Sequence, residues 1–174
     1  MRHRPVVGTD ATGGAELAEI EALYRLRLPA FRRVARGILG DAEAARDAVQ
    51  EAFAQAVRKR ESFRGDGSLE GWVWRSVVNA ARMQRRAAEI RLTQPLAEAS
   101  ELAANGHQPD PDLRVRAVVA ALPERQRLVL FLRYYADLDY ATISEALEIS
   151  AGTVAATLSS ARSSLRPLLQ EVPE

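Results

Sequence analysis

An all-α fold, made of two small helical units joined by a flexible linker, is predicted by three observations. Every strongly periodic stretch spaces its apolar residues three and four apart. No run alternates apolar and polar residues between hairpin turns. The periodicity fades over residues 90–112, where NGHQPDPD gathers Asn, Gly, Pro and Asp. With 174 residues and 47% apolar side chains, the chain can form cores of ordinary size. The expected division is a flexible tail over 1–14, a helical domain over 15–89, the linker over 90–112 and a second helical domain over 113–174.

The first helix is expected over residues 15–39. Leu17, Ile20, Leu23, Tyr24, Phe31, Val34 and Ile38 face inward, and Pro29 kinks or divides it. Gly40 ends it and Asp41 caps the next helix. That helix buries Ala45, Ala48, Val49, Ala52, Phe53, Ala56 and Val57 and turns Asp47, Gln50, Glu51 and Ala54 outward. The loop FRGDGS, Phe63 to Ser68, leads into a long helix capped by Ser68 and reaching about Glu89. Leu69, Trp72, Val73, Val77 and Ala80 are its expected inward residues. Arg75, Asn79, Arg82 and Arg86, at i, i+4, i+7 and i+11, share another face, flanked by Arg85 and Trp74. Trp72 is the expected core indole and Trp74 the exposed one.

Beyond the linker, helices are expected over 113–121, 123–135, 140–148 and 152–169, with Pro123 in a first turn and Asp139 as a cap. The last two, DYATISEALEIS followed by AGTVAATLSSARSSL, have the short turn and the apolar positions Ile143, Leu147, Ile149, Val154 and Leu158 of a helix-turn-helix. A helical hairpin that never touches DNA fits the same pattern.

The net charge of +1 hides an asymmetry. Residues 1–92 hold 17 Arg+Lys against 12 Asp+Glu, and residues 93–174 hold 7 against 11. A polyanion-facing surface therefore belongs in the first half. Arginines, an amide and an exposed indole on one helix can hold phosphates and stack on unpaired bases, although a solvated arginine face looks the same in sequence. Cysteine is absent and the histidines, His3 and His107, are isolated, so disulfide scaffolds and zinc sites are not expected. No stretch has the length of a signal core or a membrane span, and a cytoplasmic protein without membrane contact is expected. There is no glycine-rich phosphate loop and no histidine beside a nucleophile; neither an enzyme nor a cofactor is indicated. Glu43, Asp47 and Glu51 line up at i+4 spacing, but no second segment supplies further ligands, so the reading is a solvated, partner-facing surface rather than a metal site.

Together the two halves resemble one family. YRLRLPAFRRVARGILGDAEAARDAVQEAFAQAVRKRESFRGDGSLEGWVWRSVVNAARMQRR is similar to region 2 of the extracytoplasmic-function sigma factors of bacterial RNA polymerase. LPERQRLVLFLRYYADLDYATISEALEISAGTVAATLSSARSSL is similar to their region 4. The resemblance implies a subunit that brings core RNA polymerase to promoters and melts them. It places Asp47, Gln50 and Glu51 on the helix that docks on the β′ clamp helices. It places Arg64, Asp66 and Ser68 in the loop that captures a flipped base of the −10 element, and Trp74, Arg75, Asn79, Arg82, Arg85 and Arg86 on the helix that holds the melted strand. It also implies contact of region 4 with the β flap, promoter DNA as a partner, and an anti-sigma factor where one exists. The linker is assigned the polymerase active-site cleft and RNA exit path.

Region 4 departs from the family pattern. Basic or aromatic residues usual in the family are replaced by Ala155, Thr157, Ser159 and Ser160, and a turn glycine by Glu148. The expected −35 contact is therefore weak and made by Thr153, Thr157, Ser159, Ser160 and Arg162. The alternative is a sigma-like protein that binds core polymerase, has lost −35 recognition and acts as a competitor or co-regulator.

Overall fold

A computed structural model describes residues 14–93 and 118–170, and side chains over 14–91 and 118–166. The tail, apart from Gly14, and the linker beyond Thr93 lie outside the described residues. So does most of the helix expected over 113–121, of which residues 118–120 are helical. The elements are α1 (Leu17–Leu39), α2 (Ala42–Arg58), a 3₁₀ turn (Arg60–Ser62), α3 (Leu69–Thr93), α4 (Glu124–Leu130), a π-helical turn (Phe131–Tyr135), α5 (Tyr140–Leu147) and α6 (Ala151–Gln170). Among the described residues no helix is long and apolar enough to cross a membrane.

The first three helices pack on one another. Gly40, at φ 79°, closes α1 by donating its N–H to the Arg36 carbonyl. The Asp41 carboxylate accepts the Ala44 N–H at 2.7 Å and starts α2. Pro29 does not divide α1: it lies on the exposed side, where the missing N–H leaves a carbonyl facing water. At the centre the Phe31 ring lies 5.1 Å from Phe53 and 4.3 Å from Trp74, and Tyr24 meets Phe53 edge-on at 4.6 Å.

The assignment of the two indoles is reversed. Trp74 is fully buried and its indole N–H has no acceptor, whereas Trp72 is half-buried against Phe63. The reason is that α3 is covered on two sides. Its buried arc runs through Val73, Trp74, Val77, Val78, Ala80 and Ala81 and ends on Gly71. Leu69 and Trp72 stand at the edge of this arc instead of inside it.

The second unit is held by Leu128, Val129, Leu132, Leu138, Ile143, Val154, Leu158 and Ala161. Asp139 caps α5 through the Thr142 N–H at 2.8 Å. Glu148 ends α5 in the left-handed conformation, φ 54°, and the Ile149 N–H donates to Ser144 O at 3.1 Å. Ser150 then starts α6 by accepting the Thr153 N–H at 3.0 Å. The two units are not held apart. α5 packs along α3, the π turn packs on α1, and the buried apolar residues of both units form one contiguous cluster. Phe131 sits on Gly37 of α1 so closely that a Cβ there would lie 3.0 Å from its ring.

Candidate nucleic-acid interface

Burial of one stripe of α2 leaves the opposite face to solvent. Asp47, Gln50 and Glu51 are all exposed on that face. The Glu51 carboxylate accepts from Gln55 at 2.9 Å and Arg58 at 3.0 Å. The Gln55 bond first, and the charge and hydrogen bond of Arg58 with it, hold the carboxyl below its ordinary pKa although desolvation pushes it up. The acidic ladder is matched by arginines of its own helix, Arg46 lying 3.5 Å from Glu43 and 3.9 Å from Asp47.

The FRGDGS loop turns at Gly65, φ 75°, and leaves Arg64 and Asp66 exposed. Ser68 is the cap of α3, its hydroxyl accepting the Gly71 N–H at 2.9 Å. The same Ser68 also meets the second unit. Its N–H donates to the Glu145 carboxylate at 2.9 Å and its hydroxyl donates to the same oxygen at 2.5 Å. Seven residues on, Arg75 grips the end of α5. Nε and Nη2 each donate to the Glu145 carbonyl at 3.3 Å, and Nη1 stands 3.1 Å from the Glu148 carboxylate. Farther along α3, Arg82 forms a two-pronged pair with Glu124 at the start of α4, at 2.8 and 3.4 Å. That Arg82 bond, with the fields of Arg82, Arg85 and Arg86, holds the Glu124 carboxyl below its ordinary pKa although burial pushes it up. Arg85 pairs with Glu89 of its own helix at 2.8 Å, while Asn79 and Arg86 are exposed.

The −10 candidates thus divide. Arg64, Asp66, Asn79 and Arg86 face solvent; Ser68, Arg75 and Arg82 are engaged by carboxylates of the second unit. Trp74 belongs to the core and offers no stacking face, because its ring is packed against Phe31.

On α6, Val154, Leu158 and Ala161 point inward and Ala155, Ser159, Ser160 and Arg162 outward, with Thr153 and Thr157 half-buried. Several of the expected −35 groups already have neighbours. The Thr153 hydroxyl lies 2.8 Å from Ser150 Oγ, Ser160 Oγ accepts from Gln126 at 3.1 Å, and Arg162 donates to the Tyr134 hydroxyl at 2.8 and 3.0 Å.

Glu124, Glu145 and Glu148, the three carboxylates that reach α3, were not singled out together by the sequence. The opposite charge of the two halves carries that signal: it marks a polyanion-facing surface, and it equally marks two units that attract one another.

Comparison with known proteins finds one family in both units. The Sigma-70 region 2 family matches residues 23–89 and the Sigma-70 region 4 family residues 112–165. The chain is 30% identical over 153 residues to the RNA polymerase sigma-H factor of Pseudomonas aeruginosa, covering 75% of this chain and 78% of that protein. It is 30% identical over 149 residues to the ECF RNA polymerase sigma factor SigM of Mycobacterium tuberculosis, covering 86% and 76%. Among solved structures, the fold is like that of CnrH in complex with the cytosolic domain of CnrY, with a TM-score of 0.68, 21% identity and coverage of 91% of this chain and 92% of that one. It is also like the sigma factor RpoE in complex with the anti-sigma factor NepR from Bartonella quintana, with a TM-score of 0.65, 23% identity and coverage of 90% and 100%. The chain belongs to the extracytoplasmic-function sigma factors, non-enzymatic subunits that direct RNA polymerase to promoter DNA.

Proposed function

We propose that this sigma factor selects and melts promoters mainly through the loop at Arg64–Ser68 and the arginine face of α3, with α6 adding a weak −35 contact. The observation that carries this reading is the contrast between the two helices. α3 presents Arg75, Arg82, Arg85 and Arg86, whereas α6 presents Ala155, Thr157, Ser159 and Ser160 and only Arg162 and Arg166. Phosphate neutralisation dominates the affinity of nucleic-acid binding, so the helix with the arginines supplies most of it. Tethering through core polymerase raises the local concentration of the weaker module.

The exposed Asp47, Gln50 and Glu51 face of α2 is the docking surface for core polymerase in this reading. Replacing Asp47 and Glu51 together by arginine abolishes co-purification with core while the isolated protein remains helical by circular dichroism. The work is done where RNA polymerase is, in the cytoplasm. A partner of the anti-sigma kind, such as NepR is for RpoE, is compatible with the shared fold.

Mapping the transcription starts made by purified protein and core polymerase tests the proposal. Discrete starts whose use survives a scrambled −35 element but not a scrambled −10 element are expected; a collapse on scrambling −35 overturns it. The uncharged α6 face also suits a core-binding competitor without promoter choice, for which the same assay gives inhibition and no starts.

A further inference from the structure

We propose that the cavity where α1, α3 and the second unit meet is a binding site for a nucleoside diphosphate. Its volume of about 540 Å³ lies inside the range of about 300 to 1,000 Å³ typical of small-molecule sites. Ile38, Leu39 and Val119 give it an apolar wall, and Arg33, Arg36, Arg85 and Arg127 turn four guanidinium groups onto the same space. Among the described residues that line it there is no carboxylate.

The four arginines are fixed in place without being neutralised. Arg33 donates Nε and Nη2 to the Tyr135 carbonyl at 3.2 and 3.0 Å. Arg127 is buried, 8% exposed, and gives Nη1 to the carbonyls of Ala120 and Leu122 at 2.7 and 3.3 Å. Carbonyl acceptors hold a guanidinium but leave its charge uncompensated. Arg85 has the Glu89 carboxylate at 2.8 Å, and Arg36 pairs with no carboxylate among the described residues. The C-terminus of α1, at the same wall, adds about half a negative charge. Four cations thus face one carboxylate and one helix end, and an excess of about two to three positive charges remains. The strain of that excess shows at Arg127: burial first, and the field of Arg85 with it, push the guanidinium below its ordinary pKa, although the fields of Glu124 and Glu89 oppose them. A diphosphate brings about three negative charges near neutral pH, because its terminal group is close to doubly ionised. The rings select the rest of the ligand. Phe131 and Tyr135 both line the cavity and lie stacked, centroids 5.1 Å apart and planes 12° apart. Phe131 is buried, whereas Tyr135 is 40% exposed and leaves an open aromatic surface beside the arginines. A flat base stacks on such a surface and covers the apolar wall; inorganic phosphate uses the charges alone.

The test titrates the full chain in a calorimeter with ADP, inorganic pyrophosphate and adenosine, at fixed ionic strength and without divalent cations. ADP is expected to bind one per chain in the micromolar range, pyrophosphate about tenfold more weakly, and adenosine not at all. Arg36 is exposed at the end of α1, so Arg36→Ala keeps the fold and weakens ADP binding about tenfold. Arg36→Lys keeps the charge, loses the planar fork and weakens it less. Tyr135→Leu removes the stacking ring without changing a charge, so it weakens ADP and leaves pyrophosphate as it was. Arg86→Ala, on the outer face of α3, leaves both unchanged. Circular dichroism checks that each variant is folded. No heat with ADP at millimolar concentration overturns the proposal. ADP binding that survives both Arg36→Ala and Tyr135→Leu also overturns it, and so does binding lost in Arg86→Ala instead, because the nucleotide then lies on the proposed strand-binding face. Pyrophosphate binding as tightly as ADP overturns the assignment to a nucleotide.

Discussion

α3 and α6 are both long helices proposed to meet DNA, yet they are built in opposite ways. α3 buries a broad arc, including Trp74, Val73, Val77, Val78 and Ala81, and carries its arginines at the edge of that arc, where they are half-covered by carboxylates. α6 buries the narrow stripe Val154, Leu158 and Ala161 and leaves small uncharged residues on its outer face. The difference teaches that in this chain the helix that carries the charge is also the helix that holds the two units together. Perturbing α3 is therefore expected to disturb fold and recognition at once, whereas perturbing the outer face of α6 changes recognition alone.

The largest effect tests the core side of that comparison. Trp74→Ala removes a fully buried ring that Phe31 packs against and costs about 3 to 5 kcal/mol in urea unfolding. Trp74→Phe costs much less, because the indole N–H has no acceptor to lose. On α6, Leu158→Ala costs about 2 to 5 kcal/mol but loosens only the second unit's own packing. Trp74→Ala should therefore also abolish the polymerase-dependent melting of a promoter, and Leu158→Ala should spare strand binding by region 2.

A smaller effect tests the outer faces. Ala155→Lys and Ser160→Arg on α6 each add a cation where none stands, so each steepens the salt dependence of duplex −35 binding by about 0.9 in the log–log slope. If titration with salt shows the wild-type slope already as steep as that of the double variant, α6 makes phosphate contacts through groups other than side-chain cations.

How much of this was legible in sequence depended on what each residue answers to. Asp41, Asp139 and the stripe on α2 are local: a cap bonds the turn beside it, and a one-sided helix announces its side by spacing. The all-α class and the helix-turn-helix therefore followed from pattern alone. Trp74 did not, because α3 is covered from two sides and a helix with two neighbours has a buried arc too broad for a single periodic stripe. Of the two outcomes open for Pro29, a kink or a division, division does not occur, since a proline on the solvent side of a helix removes a bond whose carbonyl water can satisfy. The contacts of Ser68, Arg75 and Arg82 join residues about 40 to 80 positions apart in the chain. No local rule names such partners; only the opposed charge of the halves points to them, and it does so without saying which residues meet.

The acid range separates the helices again. Held by Arg82, the Glu124 carboxyl has its pKa in the folded chain below the unfolded value. Its stabilisation is thus complete above the unfolded value and is lost as pH falls through the folded one. The distance between dyes attached at Ala54→Cys on α2 and Ser163→Cys on α6 should stay constant through neutral pH and increase only below the ordinary glutamate range. The pair is partly exposed, so the effect is no more than about 1 kcal/mol. Glu124→Gln flattens that part of the profile. The Arg162–Tyr134 contact on α6 contains no carboxylate and contributes nothing to it. An acid profile identical in wild type and Glu124→Gln would mean that the α3–α4 pair does not help hold the units together.

The smallest expected change concerns Glu148, which stands between the two helices and serves both. Its left-handed backbone, φ 54°, costs a residue with a Cβ about 1 kcal/mol relative to glycine. Its carboxylate pairs with Arg75 at 3.1 Å, but with side chains 66% and 37% exposed the pair is worth about 0 to 1 kcal/mol. Glu148→Gly gives up the second quantity and recovers the first, so thermal stability is expected to rise slightly or hold level. Glu148→Ala gives up the pair and keeps the strain, and should be less stable than Glu148→Gly by about 1 kcal/mol. Both variants lose the same contact with α3, so both should tighten strand binding by the free protein equally. Their equality in binding, set against their difference in stability, separates what Glu148 does for its own turn from what it does to α3. If Glu148→Gly unfolds at a clearly lower temperature than wild type, the Arg75 pair outweighs the backbone strain, and α6 is fastened to α3 more firmly than the exposed geometry of that pair implies.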